Sequence, residues 1–114
     1  MLVSDLLSEG LLLFNEGRFY DAHEVWEDLW RATTDPSLKT CYQGLIQAAV
    51  GMHHLGRRNE TGARSQLGKS IRNLQAGNAA QTGLDIESFI RELTKLLSGI
   101  PEEPPRTLRI ARLQ

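Results

Sequence analysis

The chain has 114 residues, and its 13 Lys and Arg side chains nearly balance 14 Asp and Glu side chains, for a net charge of −1. This balance argues against a protein that binds nucleic acid by neutralising phosphates, and it gives no indication of a membrane-surface protein. The single cysteine, Cys41, excludes an internal disulfide and a zinc site built from several thiolates. The sequence has neither a secretory signal pattern nor a run of about 18 apolar residues, so we expect a cytoplasmic protein.

Apolar residues recur at helical spacing along most of the sequence, and no stretch alternates as a half-buried strand does. We therefore predict an all-α fold: a compact bundle of about five helices, built from stacked antiparallel helical hairpins. In this prediction residues 1–100 form a single helical domain, and residues 101–114 form a Pro-containing tail that runs extended over the surface. The predicted helices span residues 3–16, 19–32, 36–55, 61–76 and 85–97.

Local signals predict where several helices begin and end. Gly17 suits a left-handed stop after the first helix, and Asp35 followed by Pro36 is a strong helix start. The third helix is apolar nearly all round, which is typical of a helix at the centre of a bundle. Its glycines, Gly44 and Gly51, would let a neighbouring helix approach closely.

The sequence also contains a weak internal echo. The segment GRFYDA, which begins at Gly17, resembles RNETGA, which begins at Arg58, since each joins a turn to a helix with Ala near its start. Their spacing does not fit a tetratricopeptide repeat, and we interpret the echo as two stacked helical hairpins. Three apolar residues of the tail are candidates for docking on the bundle or on a second subunit: Leu108, Ile110 and Leu113.

The second helix holds the densest chemistry of the chain, in the segment FYDAHEVWEDLW at residues 19–30. At about 100° per residue, its aromatic residues form one face, and Tyr20 and Glu27 lie at one edge of that face. His23 lies inside the aromatic stripe, and Glu27 follows it by one turn, within side-chain reach. The remaining acids of the segment point into water.

The third helix places three polar side chains on one side of the wheel: Gln43, Gln47 and His54. His53 points elsewhere, among apolar residues. Helices joined by a short connector are usually antiparallel neighbours. We therefore expect three sets of neighbours across the second and third helices: His23 with His54 or Gly51, Glu27 with Gln47, and Trp30 with Gln43.

Three interpretations of this polar row are open. It is a hydrogen-bonded network that sets the helix register, a ligand or catalytic pocket, or a divalent-metal site held by His23, Glu27 and His54. In the pocket, His23 is the acid or base and Glu27 orients it. The ligand contacts in that case are Gln43, Gln47, His54, Trp30 and Tyr20. Cys41 is more typical of a small core residue than of a nucleophile, and the two tryptophans are more typical of core anchors than of a stacking platform.

Two long segments, FNEGRFYDAHEVWEDLWR and YQGLIQAAVGMHHLGRRNETGA, resemble the prokaryotic domain-of-unknown-function family three hundred and nine. The family pattern is a Phe/Tyr-x-Ala-His-Glu-x-x-Glu-x-x-Trp helix, then Gln-Gly-x-Ile-Gln, a His near the helix end, and Gly-Asn-x-x-Gly-Ala. The resemblance covers roughly residues 13–74. Where the family has Gly directly before Asn, this chain has Arg58 before Asn59. The pattern falls on Ala22, His23, Glu24, Glu27, Trp30, Gln43, Gly44, Gln47, His54, Asn59, Gly62 and Ala63.

The resemblance implies a small all-α bundle and supplies no activity. Two functional hypotheses stay open. In the first, the polar row forms a cleft that binds a small molecule or a divalent metal and carries out acid–base or hydrolytic chemistry. In the second, the protein is a non-enzymatic interaction module whose grooves accept a peptide or a helix, and the polar row is structural. Homo-oligomerisation through an apolar helix face or the tail is a further hypothesis.

Overall fold

A computed structural model describes residues 3–100 and 108–113 of the chain. The described part confirms the predicted all-α bundle of five helices, and each predicted helix boundary agrees with the structure to within one residue. A short 3₁₀ helix, which the sequence did not predict, lies between the fourth and fifth helices. The elements are α1 Val3–Asn15, α2 Phe19–Ala32, α3 Pro36–Gly56, α4 Glu60–Ala76, the 3₁₀ helix Ala79–Thr82 and α5 Ile86–Ser98.

Each α-helix packs on its neighbour in the chain, so the bundle is a series of stacked hairpins. Neighbouring helices are antiparallel, because the start of one lies beside the end of the next. The start of α2 and the end of α3 line one groove, while Gly51 and Gly44 of α3 meet Leu67 and Leu74 of α4 in reverse order. None of the helices within residues 3–100 combines the length and the apolar composition that crossing a bilayer requires.

Helix α3 lies at the centre of the core, as its nearly uniform apolar surface predicts. Ten of its residues are buried, and Cys41 is among those with no exposed surface. Burial raises the pKa of the Cys41 thiol to about 11, so the thiol stays protonated at neutral pH. Cys41 is therefore a core residue, which confirms the prediction from the sequence.

The two glycines of α3 bring α4 close, which also confirms a prediction. A Cβ atom on Gly44 would lie 2.7 Å from Cγ of Leu74, and one on Gly51 would lie 2.8 Å from Cδ2 of Leu67. Ser70 of α4, which is fully buried, donates a hydrogen bond of 2.6 Å to the Gly44 carbonyl oxygen. Such a close contact leaves no room for a side chain at either glycine, so these positions set the rotation of α3 against α4.

The internal echo corresponds to two turns of the same construction. After α1, the amide of Gly17 donates to the carbonyl of Phe14 and the amide of Arg18 to that of Leu13. After α3, the amides of Arg58 and Asn59 repeat this pair of bonds onto Leu55 and His54. This is the Schellman motif, in which the residue after the helix cap is left-handed. Gly17 and Arg58 have φ of +83° and +58°, and Ala22 and Ala63, which end the two echo segments, are both fully buried.

The described end of the tail, residues 108–113, packs against the bundle as a strap. Asn15 at the end of α1 donates to the carbonyl of Ile110 at 3.0 Å and accepts from its amide at 2.9 Å. Leu108 and Ile110 are buried, as the docking hypothesis predicts, while Leu113 is 57% exposed. The Pro-containing part of the predicted tail, residues 101–107, lies outside the described residues.

Candidate functional site

His23 and Glu27 of α2 form the pair that the helical spacing predicts. The Nε2 atom of His23 lies 3.0 Å from Oε1 of Glu27, and the two side chains are 20% and 41% exposed. Arg31, one further turn along, places its guanidinium 3.5 Å from the other carboxylate oxygen of Glu27. Glu27 thus lies between an imidazole and a guanidinium at the edge of the helix.

The contact with Glu27 sets the tautomer of the His23 ring. A carboxylate oxygen accepts hydrogen bonds, so Nε2 carries the hydrogen and donates it. The other ring nitrogen, Nδ1, is buried and has no hydrogen-bond partner among the described residues. In this arrangement neither nitrogen of His23 is open to take a proton from a molecule in solvent.

Two of the three histidines of the chain, His23 and His53, lie beside one tyrosine, and the third lies next to His53. The ring of Tyr20 lies 5.5 Å from that of His23 and 5.4 Å from that of His53, measured between centroids. His54 follows at 6.2 Å from His53. Tyr20 itself is 54% exposed, although it is flanked by two imidazoles. The cluster therefore presents an aromatic face to solvent at the edge between α2 and α3.

Tyr20 and His53 belong to a groove of about 380 Å³, which we call the α2–α3 groove. Residues 17–21 line one side of it, and Met52, His53, Gly56 and Arg57 line the other. Burial lowers the pKa of the His53 imidazole most, and electrostatic interaction with Arg57, His54 and His23 lowers it further. His53 is consequently neutral around pH 7.

The position of His53 corrects the interpretation of the sequence, which placed it among apolar residues and away from the site. It lies four residues after Ala49 and seven after Ile46, on the side of α3 that faces α2. Ile46 itself lines a small depression together with Glu27 and Trp30 of α2. This i, i+3, i+7 relation was available in the sequence and would have identified His53.

Gln47 and His54 also differ from their predicted positions. The Oε1 atom of Gln47 accepts a hydrogen bond of 2.7 Å from Nδ2 of Asn73, and Nδ1 of His54 accepts one of 3.2 Å from Nδ2 of Asn59. Both partners belong to α4 or its cap. Among the described residues, no hydrogen bond joins Gln47 to Glu27 or His54 to His23, because the two side chains bond towards α4 instead.

The residues proposed as metal ligands do not come together. Within residues 3–100 and 108–113, no group of three or more His, Cys, Asp or Glu side chains is arranged to hold a metal ion. Glu27 bonds to His23, whereas His54 bonds to Asn59 at the junction of α3 and α4. The set of His23, Glu27 and His54 thus forms no metal centre in this arrangement.

Trp30 and Gln43 lie together, as predicted, at the opposite end of the α2–α3 contact. They line a depression of about 140 Å³ with Glu27, Arg31 and Ile46. The ammonium of Lys39 lies 3.7 Å from the centroid of the Trp30 ring, a cation–π contact that covers part of the indole. Trp26 is the true core anchor of α2, since it is fully buried and stacks on Phe14 at 5.7 Å.

The sequence pattern of the family described as Domain of unknown function (DUF309) matches residues 7–66, more than half of the chain. The protein belongs to the DUF309 family. It is 39% identical over 104 residues to an uncharacterized protein of Aquifex aeolicus (strain VF5), and 31% identical over 85 residues to the uncharacterized protein YpuF of Bacillus subtilis (strain 168). These matches cover 87% and 75% of this chain. They span 31% and 48% of the two relatives, so each relative is a longer protein.

Several residues that carry the DUF309 resemblance build the junction of α3 and α4. Asn59 caps α4 by accepting from the amide of Gly62 at 3.0 Å, which turns its Nδ2 towards His54. A Cβ atom on Gly62 would lie 2.9 Å from Cγ of His54. His54, Asn59 and Gly62 therefore form a joint in which each residue depends on the others.

Proposed function

We propose that this DUF309 protein is a binding domain, and that a small polar molecule occupies its α2–α3 groove. The observation that supports the proposal most directly is the exposed ring of Tyr20, held between the imidazoles of His23 and His53. An exposed aromatic ring beside hydrogen-bonding groups suits a ligand that stacks and is oriented by polar contacts. The groove volume of about 380 Å³ falls in the range of small-molecule sites.

Binding fits the geometry better than the acid–base chemistry that the sequence suggested for His23. A general base must lie within hydrogen-bond reach of the proton that it removes. In His23 the Nε2 atom is engaged by Glu27 and Nδ1 is buried. We propose instead that the His23–Glu27 pair holds the Tyr20 ring in place, because the His23 ring packs against it. Hydrolytic or acid–base activity stays a prediction.

For Gln47 and His54 we propose a structural role, since both are hydrogen-bonded to the neighbouring α4 unit and neither lines the groove. Each bond satisfies a polar side chain at a helix–helix contact. The ligand contacts then reduce, among the residues predicted from the sequence, to Tyr20. His53 takes the place that the sequence assigned to His54.

A fragment screen followed by amide NMR shifts tests the proposal. Fragments that bind should shift the amides of Tyr20, His53 and Gly56, which are spread along both walls of the groove. Tyr20→Ala should weaken these fragments at least about fivefold, since stacking on an aromatic ring contributes around 1 kcal/mol or more. Leu12→Ala is the matched control, because Leu12 is equally exposed, at 61%, and lies on α1 outside the groove. A screen whose hits all map elsewhere, or that yields no hit, would contradict the proposal.

A further inference from the structure

We infer that the α2–α3 groove takes a ligand that carries an anionic group, a carboxylate or a phosphate, bound at its α3 wall by Arg57 and His53. The inference rests on the proposed function and adds the chemical class of the ligand.

The charged side chains of the groove differ in whether they are paired. Arg18 and Asp21, on the α2 side, neutralise each other through bonds of 2.9 and 3.1 Å. Arg57, on the α3 side, makes no ion pair with any residue that the structure describes.

Arg57 and His53 are four residues apart, so their side chains share one face of α3 at its end. Both line the groove. A guanidinium offers two parallel donors that match a carboxylate or a phosphate, and an imidazole adds a third donor beside them. The charge of Arg57 already acts on His53, because it contributes to the lowered pKa of that imidazole. An anion placed between the two groups would offset this positive charge.

The rest of the groove indicates what the anion is attached to. Tyr20 offers an exposed ring face and the half-buried Phe19 adds apolar surface, whereas Met52 lies at the groove wall but is fully buried. A volume of about 380 Å³ accommodates a molecule with one ring and a charged substituent rather than a polymer. The ligand class is therefore a small aromatic or heterocyclic molecule that bears a carboxylate or a phosphate.

Three one-ring probes test the inference on the full chain by amide NMR titration: phenylacetate, phenyl phosphate and the neutral phenylacetamide. Saturable shifts at Tyr20, His53 and Gly56 are expected with the anions, and the tighter of the two anions identifies the preferred group. Arg57→Gln should raise the Kd of that anion at least about tenfold, as expected for a hydrogen bond to a charged group. Arg58→Gln removes the same charge from the next residue, which lies outside the groove, and should change the Kd less than about twofold.

The outcomes separate this inference from the proposed function. If phenylacetamide shifts the groove amides with the same Kd as phenylacetate, the groove binds a ligand but does not select an anion, and only the inference fails. It fails likewise if Arg57→Gln and Arg58→Gln weaken the anion equally, or if no probe produces saturable shifts. The fragment screen decides the proposed function independently. His53→Gln is a second variant should Arg57→Gln alter the fold, and it should also weaken the anion.

Discussion

Arg58 occupies in the α3–α4 turn the position that Gly17 occupies in the α1–α2 turn. Both follow a helix cap, both have positive φ, and both donate to the third carbonyl before them. Glycine adopts this conformation without strain, whereas a residue with a Cβ atom is strained by roughly 1–2 kcal/mol. Arg58 therefore holds the same turn as Gly17 under a backbone strain that Gly17 does not carry.

Replacing Arg58 by glycine should stabilise the protein. The left-handed conformation is already present, so Arg58→Gly removes the Cβ strain at the cost of greater chain freedom in the unfolded state. We expect a gain of about 1 kcal/mol in the free energy of unfolding, measured by denaturant titration. Arg58→Ala is the control, because it removes the charge and the long side chain while keeping the Cβ atom, and it should give no such gain. A less stable Arg58→Gly variant would argue that the arginine side chain itself stabilises the turn.

Replacing Gly17 by alanine should have the opposite effect. A Cβ atom added at Gly17 meets no other atom within 4 Å, so the cost arises from its φ of +83° alone. We expect Gly17→Ala to lose about 1–2 kcal/mol of unfolding free energy. Gly99 offers a matched position, since it is also surrounded by open space but has an ordinary φ of −157°. Gly99→Ala should change stability by less than about 0.5 kcal/mol, and an equal loss at both sites would exclude the backbone as the cause.

The joint between His54 and Asn59 should contribute measurably to stability. Asn59→Ala removes the cap of α4 and leaves Nδ1 of His54 without its donor. The loss of an N-cap costs about 1 kcal/mol, and the lost hydrogen bond adds about as much. Asn59→Asp keeps an oxygen that can accept from Gly62, so it should retain most of the cap. Thermal and denaturant unfolding of both variants would test this, and equal stability of Asn59→Ala and the parent protein would contradict it.

The lowered pKa of His53 predicts how stability depends on pH. A base whose pKa is lower in the folded state binds fewer protons when folded than when unfolded, so stability rises with pH. The contribution of His53 to the free energy of unfolding is fully present above its ordinary pKa of 6.5. It is lost as pH falls from there through the lower pKa that His53 has in the folded protein. The groups around it that carry or acquire charge are Tyr20 and His23 from α2, the Arg18–Asp21 pair, and Arg57 and His54 from its own helix.

His53→Gln provides the measurement for this dependence. Unfolding free energies of both proteins between about pH 7.5 and pH 5.5 should show a smaller decrease for the variant, because it lacks the titrating imidazole. His23 and His54 remain in both proteins, so the comparison isolates the removal of His53 together with its coupling to them. Identical decreases in the two proteins would show that His53 does not titrate differently on folding.

The sequence predicted the helices well because their ends carry local signals. Gly17 and the Asp35–Pro36 pair act within a few residues, and the structure places them as a left-handed stop and a helix cap with its Oδ1 atom accepting from Ser37 and Leu38. The short 3₁₀ helix at Ala79–Thr82 was missed, since four residues are too few to display a period.

The site was predicted less well because a helical wheel gives directions around one helix and does not say which neighbour lies in each direction. The side chain of Gln47 was predicted to face α2. In the sequence, however, Gln47 lies three residues after Gly44 and four before Gly51. Both glycines face α4, so they place Gln47 beside that helix. The wheel did identify the bond between His23 and Glu27, because that bond lies within a single helix.

The two bonds between Asn15 and Ile110 join residues 95 positions apart. The contacts between successive helices are local by comparison, so those helices can pair as they leave the ribosome. The strap cannot close until residue 110 has been synthesised, after all of α1 to α5. Until then the side chain of Asn15 and the sites covered by Leu108 and Ile110 stay open to water. The core of the described part is thus completed only after its five helices have been made, by a segment that none of them needs in order to form.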